Sequence, residues 1–233
     1  MLQKQSIDVM LLSETWHDAD SVSIRRLRAE GYQVIERARP RVRADTLSTN
    51  HGGVAVVAVR GIRLTLLDLG AHPTTFEHLC VRVTAKSSSC VMLLLYQPGS
   101  VAATTEFFSD MPDVLDRLAT FTDPFIVTGD VNVRLDRTDD PSARHFNELV
   151  ADVGMSCHVT SATHDHGGLF DVVVTRDDLP APYVNVVDVG LSDQRLLTWS
   201  TQLSKPPCTS CSTVYCNRSC LGLWVCLFVG LLP

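Results

Sequence analysis

The sequence lacks any hydrophobic run of the roughly 20 residues that a membrane-spanning helix needs. It also lacks a basic and then apolar N-terminal segment of the kind that directs secretion. Basic residues are in the minority, with 20 Lys and Arg against 26 Asp and Glu among 233 residues and a net charge of −6. We therefore expect an intracellular protein, nuclear or cytoplasmic, without membrane association. Overall charge does not favour nucleic-acid binding, although acidic groups that hold a metal ion stay compatible with it.

Cysteine is scarce in most of the chain and crowded at its end. With 45% hydrophobic residues the chain is long enough to bury one sizeable core. We expect one domain over residues 1–203 and a tail over residues 204–233, Cys-rich and then apolar, that packs poorly on the domain. Four tail cysteines have a spacing that loosely fits a zinc site, which is the alternative interpretation: Cys208, Cys211, Cys216 and Cys220.

The most informative stretch is an apolar run of strand length, residues 125–128, that ends in Gly129, Asp130, Val131 and Asn132. Open α/β sheets bind ligands at the carboxyl ends of their strands, and residues two apart face the same side of an extended chain. Asp130 and Asn132 are thus predicted to face one crevice. A capped turn is the plainer interpretation, because glycine, aspartate and asparagine are common turn residues.

Other strand-like runs also end in polar groups. Glu14 follows the apolar run 6–12, and Tyr96 closes the buried run 90–96. Asp171 lies inside an apolar strand, where an unpaired carboxylate would cost several kcal/mol, so a partner is required. Asp193 stands at a junction between a loop and the last strand of the domain.

Helical periodicity appears in three segments, residues 21–30, 104–121 and 143–153, while consecutive strands over 54–96 imply antiparallel pairing. The segment 104–121 connects two strands and indicates a crossover unit. Together these patterns predict an α/β fold.

Two polar loops have open interpretations. Arg39, Arg41 and Arg43 lie in a segment that Pro40 keeps from being helical, and they are either a solvated loop or a phosphate-contacting one. His164 and His166 are either metal ligands or ordinary loop residues.

Six short motifs, in one order, resemble the endonuclease/exonuclease/phosphatase family, and most closely the apurinic-endonuclease-like domains of non-LTR (LINE-type) retrotransposons. The motifs are Ser13-Glu14-Thr15-Trp16, His51-Gly52-Gly53-Val54-Ala55, Tyr96-Gln97-Pro98-Gly99-Ser100, Gly129-Asp130-Val131-Asn132, Thr163-His164 with Leu169-Phe170-Asp171-Val172-Val173, and Ser192-Asp193-Gln194-Arg195.

The resemblance implies a four-layer sandwich of two mostly antiparallel sheets with outer helices. It also implies a phosphodiesterase, dependent on Mg²⁺ or Mn²⁺, that nicks target DNA. In such a site Glu14 and Asp193 would hold the metal, which neutralises the charge of the transition state. Asp130 would deprotonate the attacking water.

The remaining roles that the resemblance implies concern the phosphate. Asn132 would hold the phosphate or the water, and Tyr96 would hydrogen-bond a phosphate oxygen. Asp171 would fix an imidazole that follows Asp193. Apart from the resemblance, the arginine loop is the place on this acidic chain where DNA could dock, and Arg39, Arg41 and Arg43 are predicted to contact it.

Two departures from the family pattern bear on activity. Gln194 stands where the family has histidine. Only residues 1–5 precede the strand at Ile7, so the family's first strand is expected to be missing, which would leave the edge of a neighbouring strand unpaired. The alternatives are therefore a catalytically inactive nucleic-acid-binding relative, or a phosphatase of the same superfamily.

Overall fold

A computed structural model describes residues 7–18, 21–40, 52–99, 103–190, 192–202 and 222–229. In chain order its elements are β1 (Val9–Ser13), α1 (Val22–Ala29), β2 (Gln33–Arg37), β3 (Val54–Ala58), β4 (Ile62–Leu66), β5 (Glu77–Ala85), β6 (Ser88–Tyr96), α2 (Thr105–Ala119), β7 (Phe125–Asp130), α3 (Pro141–Asp152), β8 (Met155–Cys157), β9 (Asp171–Arg176), β10 (Asn185–Val187), β11 (Leu196–Gln202) and β12 (Gly222–Val229). Within these ranges, none of the helices has the length and apolar character needed to span a bilayer.

The strands form two six-stranded sheets. The first has the order β10-β11-β12-β1-β3-β2, and the second has the order β4-β5-β6-β7-β9-β8. Pairing is antiparallel except between β1 and β12 and between β6 and β7, which run parallel. The parallel pair β6–β7 is joined through α2, as the predicted strand–helix–strand unit requires.

The core has two main parts because the strands are buried on both faces. On β6, Met92 and Leu94 point into a cluster shared by both sheets, whereas Val91 and Leu93 join the cluster beneath α2 and α3. A side-chain period of two residues in a strand covered on both sides explains its continuous apolar sequence. A smaller cluster lies on the outer face of the first sheet, where Leu27 of α1 packs. The predicted four-layer sandwich is thus confirmed.

Helix α2 begins where the sequence signals it. Thr104 is the N-cap, and its hydroxyl oxygen accepts a hydrogen bond from the Phe107 amide at 3.4 Å. Phe107, Met111 and Leu118 form its buried stripe, although Pro112 lies within the helix. The amphipathic pattern therefore outweighs the cost of one proline.

The C-terminal segment corrects one expectation. Residues 222–229 form β12, which lies between β1 and β11, and Val225, Cys226 and Leu227 are almost fully buried there. The prediction that the apolar tail packs poorly on the domain is wrong for this strand, because Val225, Cys226 and Leu227 lie in the core. The predicted unpaired edge is also absent from β1, which pairs with β3 on one side and β12 on the other.

The tail cysteines at 208, 211, 216 and 220 lie outside the described residues, as does the predicted domain boundary at residue 203.

Candidate active site

Four polar residues form a row across one end of the second sheet. Glu77 of β5 pairs with Tyr96 of β6, Tyr96 with Asp130 of β7, and Asp130 with Asp171 of β9. Residues in register on neighbouring strands project to the same face of a sheet. This row faces the first sheet, where β1 ends and Glu14 follows it. The structure thus brings together four of the predicted strand-end residues, Glu14, Tyr96, Asp130 and Asp171.

Tyr96 links the two sheets at this end. Its hydroxyl donates a hydrogen bond to Glu14 Oε1, and its ring lies 5.7 Å from the guanidinium carbon of Arg39. Burial, and then the hydrogen bond to Glu14, raise the pKa of the Tyr96 phenol far above its usual value. Tyr96 therefore stays protonated and is a permanent hydrogen-bond donor in the site.

Asp130 and Asp171 are both buried. Burial, followed by repulsion from Asp171, raises the pKa of Asp130 well above its usual range. Burial raises the pKa of Asp171 to about 7. Both carboxylate oxygens of Asp171 lack a hydrogen-bond partner among the described residues. The site therefore contains two acidic groups whose ionised forms are destabilised by their surroundings.

The turn after β7 fixes Asn132. Gly129 has φ of +141°, and a Cβ there would overlap the Leu95 carbonyl oxygen, so only glycine allows this close approach. The Asn132 amide N–H donates to Asp130 Oδ1 at 2.9 Å, and its side-chain Nδ2 donates to the Gln97 carbonyl oxygen at 2.6 Å. The capped-turn interpretation is confirmed, because the Asp130 carboxylate caps the turn that positions Asn132. That both residues face a ligand stays a prediction.

Asp193 and Gln194 lie outside this row, just before β11. Gln194 pairs with His164, and His164 Nε2 lies 3.3 Å from Asp193 Oδ2. The Asp193 side chain is 65% exposed. His164 therefore contacts the residue predicted to bind metal, whereas its own role as a ligand stays a prediction.

The expected contact between residue 194 and Asp171 is not made. The amide oxygen of Gln194 is buried without a hydrogen-bond partner among the described residues, as are both Asp171 oxygens. No hydrogen bond therefore joins the Gln194 side chain to the Asp171 carboxylate in the part of the chain that the structure describes. The prediction that Asp171 finds its donor at position 194 is therefore wrong.

The arginine loop is described only at its start. Arg39 forms an ion pair with Glu77, and the second Glu77 oxygen accepts from the Gly53 amide at 2.7 Å. Arg41 and Arg43 lie outside the described residues. Arg39 is thus placed at the site, beside Tyr96.

Glu77 was not among the predicted site residues. The signal was the hairpin formed by β5 and β6, since pairing Ala85 with Ser88 places Glu77 opposite Tyr96. The position of the turn between β5 and β6 fixes the register of this hairpin, and from that register Glu77 could be predicted to lie opposite Tyr96.

The side chains at this end of the second sheet carry oxygen atoms, which are the ligands that a hard divalent cation prefers. Glu14, Asp130, Asn132 and Asp171 supply oxygen atoms, and three of them are carboxyl groups in mutual repulsion. In the part of the chain that the structure describes, no three acidic, histidine or cysteine side chains are grouped so that together they could hold a metal ion. Mg²⁺ keeps several waters and usually takes one or two protein carboxylates, so the donor set fits this ion.

The chain thus has two six-stranded sheets, with polar groups at one end of the second sheet. Residues 1–194 match the model of the Endonuclease/Exonuclease/phosphatase family, and the chain belongs to this family. No curated protein matches the chain at a significant level.

Solved structures share the fold at low sequence identity. A 3′ phosphatase from Neisseria bound to a product DNA hairpin has a TM-score of 0.58 and 16% identity, with 83% of this chain and 88% of that chain covered. The endonuclease domain of TRAS1, a telomere-specific non-LTR retrotransposon, has a TM-score of 0.55 and 11% identity over 81% and 94%. The human Nocturnin catalytic domain has a TM-score of 0.53 and 15% identity over 84% and 74%.

Proposed function

We propose that this chain is a metal-dependent phosphodiesterase that nicks DNA, in the manner of a retrotransposon endonuclease domain. The observation that carries the proposal is the row of Tyr96, Asp130 and Asp171 in register, with Glu14 facing it from the other sheet. A phosphodiester needs a donor to its anionic oxygens and a base for the attacking water, and this row contains both kinds of group.

Asp130 is the proposed base. Burial, and then repulsion from Asp171, raise the pKa of Asp130, and a carboxylate with a raised pKa is a stronger base than an ordinary one. Asn132 lies two residues on, with its backbone bound to the Asp130 carboxylate, and would orient the water or the phosphate. Tyr96, which stays protonated, would donate to a phosphate oxygen.

Glu14 and Asp193 are the proposed metal ligands. Enzymes of this family generally use divalent metals, and the acidic oxygen atoms near Glu14 favour Mg²⁺ or Mn²⁺. When bound, the ion would neutralise charge on the phosphate as a Lewis acid. The chain's own contribution is the fixed position of Glu14, whose carboxylate accepts from Tyr96.

DNA is the proposed partner, contacted by Arg39, Arg41 and Arg43. Arg39 lies at the mouth of the site, against the Tyr96 ring and Glu77. Three arginines, at 39, 41 and 43, follow β2 and provide local positive charge on an acidic chain. Such contacts would position the phosphate backbone without reading its sequence.

A catalytically inactive relative is the second candidate, and position 194 favours it. Gln194 cannot transfer a proton, and the two carboxylate oxygens of Asp171 have no hydrogen-bond partner in the described part of the chain. The chain would then keep the fold and its arginines and bind nucleic acid without cutting it.

Relaxation of supercoiled plasmid tests the proposal. We expect slow nicking with Mg²⁺ that stops in EDTA and in the Asp130→Asn variant. A DNA end carrying a 3′-phosphate and a phosphoinositide serve as parallel substrates for the phosphatase alternative. Phosphate release from either, without plasmid nicking, would replace the nuclease proposal by a phosphatase. DNA binding without any hydrolysis would favour the inactive relative.

A further inference from the structure

The turn after β1 has an unusual backbone. Glu14 has φ of +53° and Trp16 has φ of +51°, so two residues other than glycine adopt the left-handed conformation on either side of Thr15. L-residues avoid this region because Cβ approaches the following carbonyl oxygen. Such a conformation persists only where surrounding contacts impose it.

The backbone contacts that impose it come from the two glycines that lead into β3. The Thr15 and Trp16 amides donate to the carbonyl oxygens of Gly53 and Gly52, at 3.2 and 2.8 Å. Gly53 has φ of +95°, and a Cβ there would lie 2.6 Å from Thr15 Oγ1. Because glycine has no Cβ, the Thr15 side chain can approach the backbone at position 53 more closely than any other residue there would allow.

Three side chains linked by hydrogen bonds also hold this turn. Thr15 Oγ1 is hydrogen-bonded to His17 Nδ1, and His17 Nε2 lies 3.1 Å from Glu36 Oε2 on β2. The His17 side chain is 1% exposed. A carboxylate only accepts, so Nε2 carries the proton towards Glu36, and Nδ1 can accept from the Thr15 hydroxyl. Arg28 Nη2, on α1, lies 3.5 Å from the second Glu36 oxygen, Oε1.

We infer that Thr15, His17 and Glu36 are positioning residues for Glu14. They hold the strained turn so that the Glu14 carboxylate meets the Tyr96 hydroxyl at the end of the second sheet. The inference rests on the proposed function, in which Glu14 is a metal ligand. Removing a group that holds a metal ligand in place typically lowers metal affinity or enzyme activity by 10- to 100-fold.

Thr15 offers a matched pair of variants. Thr15→Val keeps the branched shape and removes the hydroxyl, whereas Thr15→Ser keeps the hydroxyl. Mn²⁺ affinity is measured on the full chain from the signal of free Mn²⁺ in electron paramagnetic resonance, and thermal unfolding in EDTA is recorded beside it. We expect Thr15→Val to bind Mn²⁺ about 10- to 100-fold more weakly. Thr15→Ser should bind close to the unmodified chain.

Glu36→Leu and Glu36→Gln form a second pair, because glutamine keeps an acceptor for His17 Nε2 and leucine does not. We expect leucine to weaken Mn²⁺ binding more than glutamine does. On DNA, Thr15→Val should lower kcat and leave KM unchanged, since the turn acts on the metal ligand and not on the arginine segment.

The outcomes separate this inference from the nuclease proposal. Equal Mn²⁺ affinity of Thr15→Val and Thr15→Ser overturns the inference, and so does a fall in melting temperature alone, which shows a purely structural network. Absence of Mn²⁺ binding by the unmodified chain also overturns it. If Mn²⁺ binds and responds to Thr15→Val but no DNA is nicked, the inference stands and the nuclease proposal fails.

Discussion

Asp130 and Asp171 are register partners on β7 and β9, and both side chains are buried at the same end of the second sheet. Neighbouring carboxyl groups in a buried place cannot both ionise at low cost. The pair therefore stores electrostatic strain beside the proposed attacking water, and this strain has a measurable dependence on pH.

Stability should fall as pH rises towards neutrality because of Asp171. Its pKa is about 7 in the folded protein and 3.8 ordinarily, so between these values the folded state holds a proton that the unfolded state has lost. The free energy of unfolding therefore decreases through this window, by at most about 1.4 kcal/mol per pH unit from this group, and levels off above it.

Denaturant unfolding of the unmodified chain and of Asp171→Asn, in metal-free buffer at pH 5 to 8, isolates this effect. The stability difference between the two proteins should shift in favour of Asp171→Asn as pH rises to about 7. The exposed Asp139→Asn variant is the control, and its difference should stay flat. A difference for Asp171→Asn that is flat or of opposite sign would contradict the assignment.

The site could be predicted from the sequence where polar groups end apolar strands. Asp130, Tyr96 and Glu14 stand out because an apolar run stops abruptly at each of them. The contact of residue 194 could not be predicted, since the direction of a glutamine amide depends on neighbours from other loops. Three further residues, Glu77, His17 and Glu36, reach the site region through contacts between segments that are distant in the chain. The periodicity of apolar residues alone does not reveal such contacts.

β12 shows the same limit for the fold. Its apolar sequence after a Cys-rich stretch resembles unrelated tail sequence, and only its pairing partners define it as an interior strand. Those partners, β1 and β11, lie far from it in the chain, so no local pattern indicates them. The helices, by contrast, follow from local periodicity and caps.

Leu227 of β12 should be as important as a residue of the domain core. It is 1% exposed and pairs with Leu11 and Leu197. We expect Leu227→Ala to lower the free energy of unfolding by about 2 to 5 kcal/mol. Leu66→Ala, at a position that is 52% exposed, is the matched control and should change it by about 0.5 kcal/mol or less. Equal effects in chemical denaturation would show that β12 adds nothing to the core.

Arg41 and Arg43 should set the salt dependence of DNA binding. Each phosphate contact contributes about 0.9 to the slope of log affinity against log salt, so replacing both by alanine should reduce the slope by about 1.8. Arg63 and Lys86, exposed near the opposite end of β5, are the charge-matched control and should leave it unchanged. An unaltered slope for the Arg41 and Arg43 variant would show that this segment is only solvated.

Plasmid nicking with Mg²⁺ by four proteins tests the central claim most directly: the unmodified chain, Gln194→His, Asp130→Asn, and the double variant. An imidazole at 194 can carry a positive charge and transfer a proton, which a carboxamide cannot do. We predict that Gln194→His nicks about 10²- to 10⁴-fold faster than the unmodified chain, and that Asp130→Asn removes nicking in either background. Nicking at the parental rate after Asp130→Asn would contradict the account.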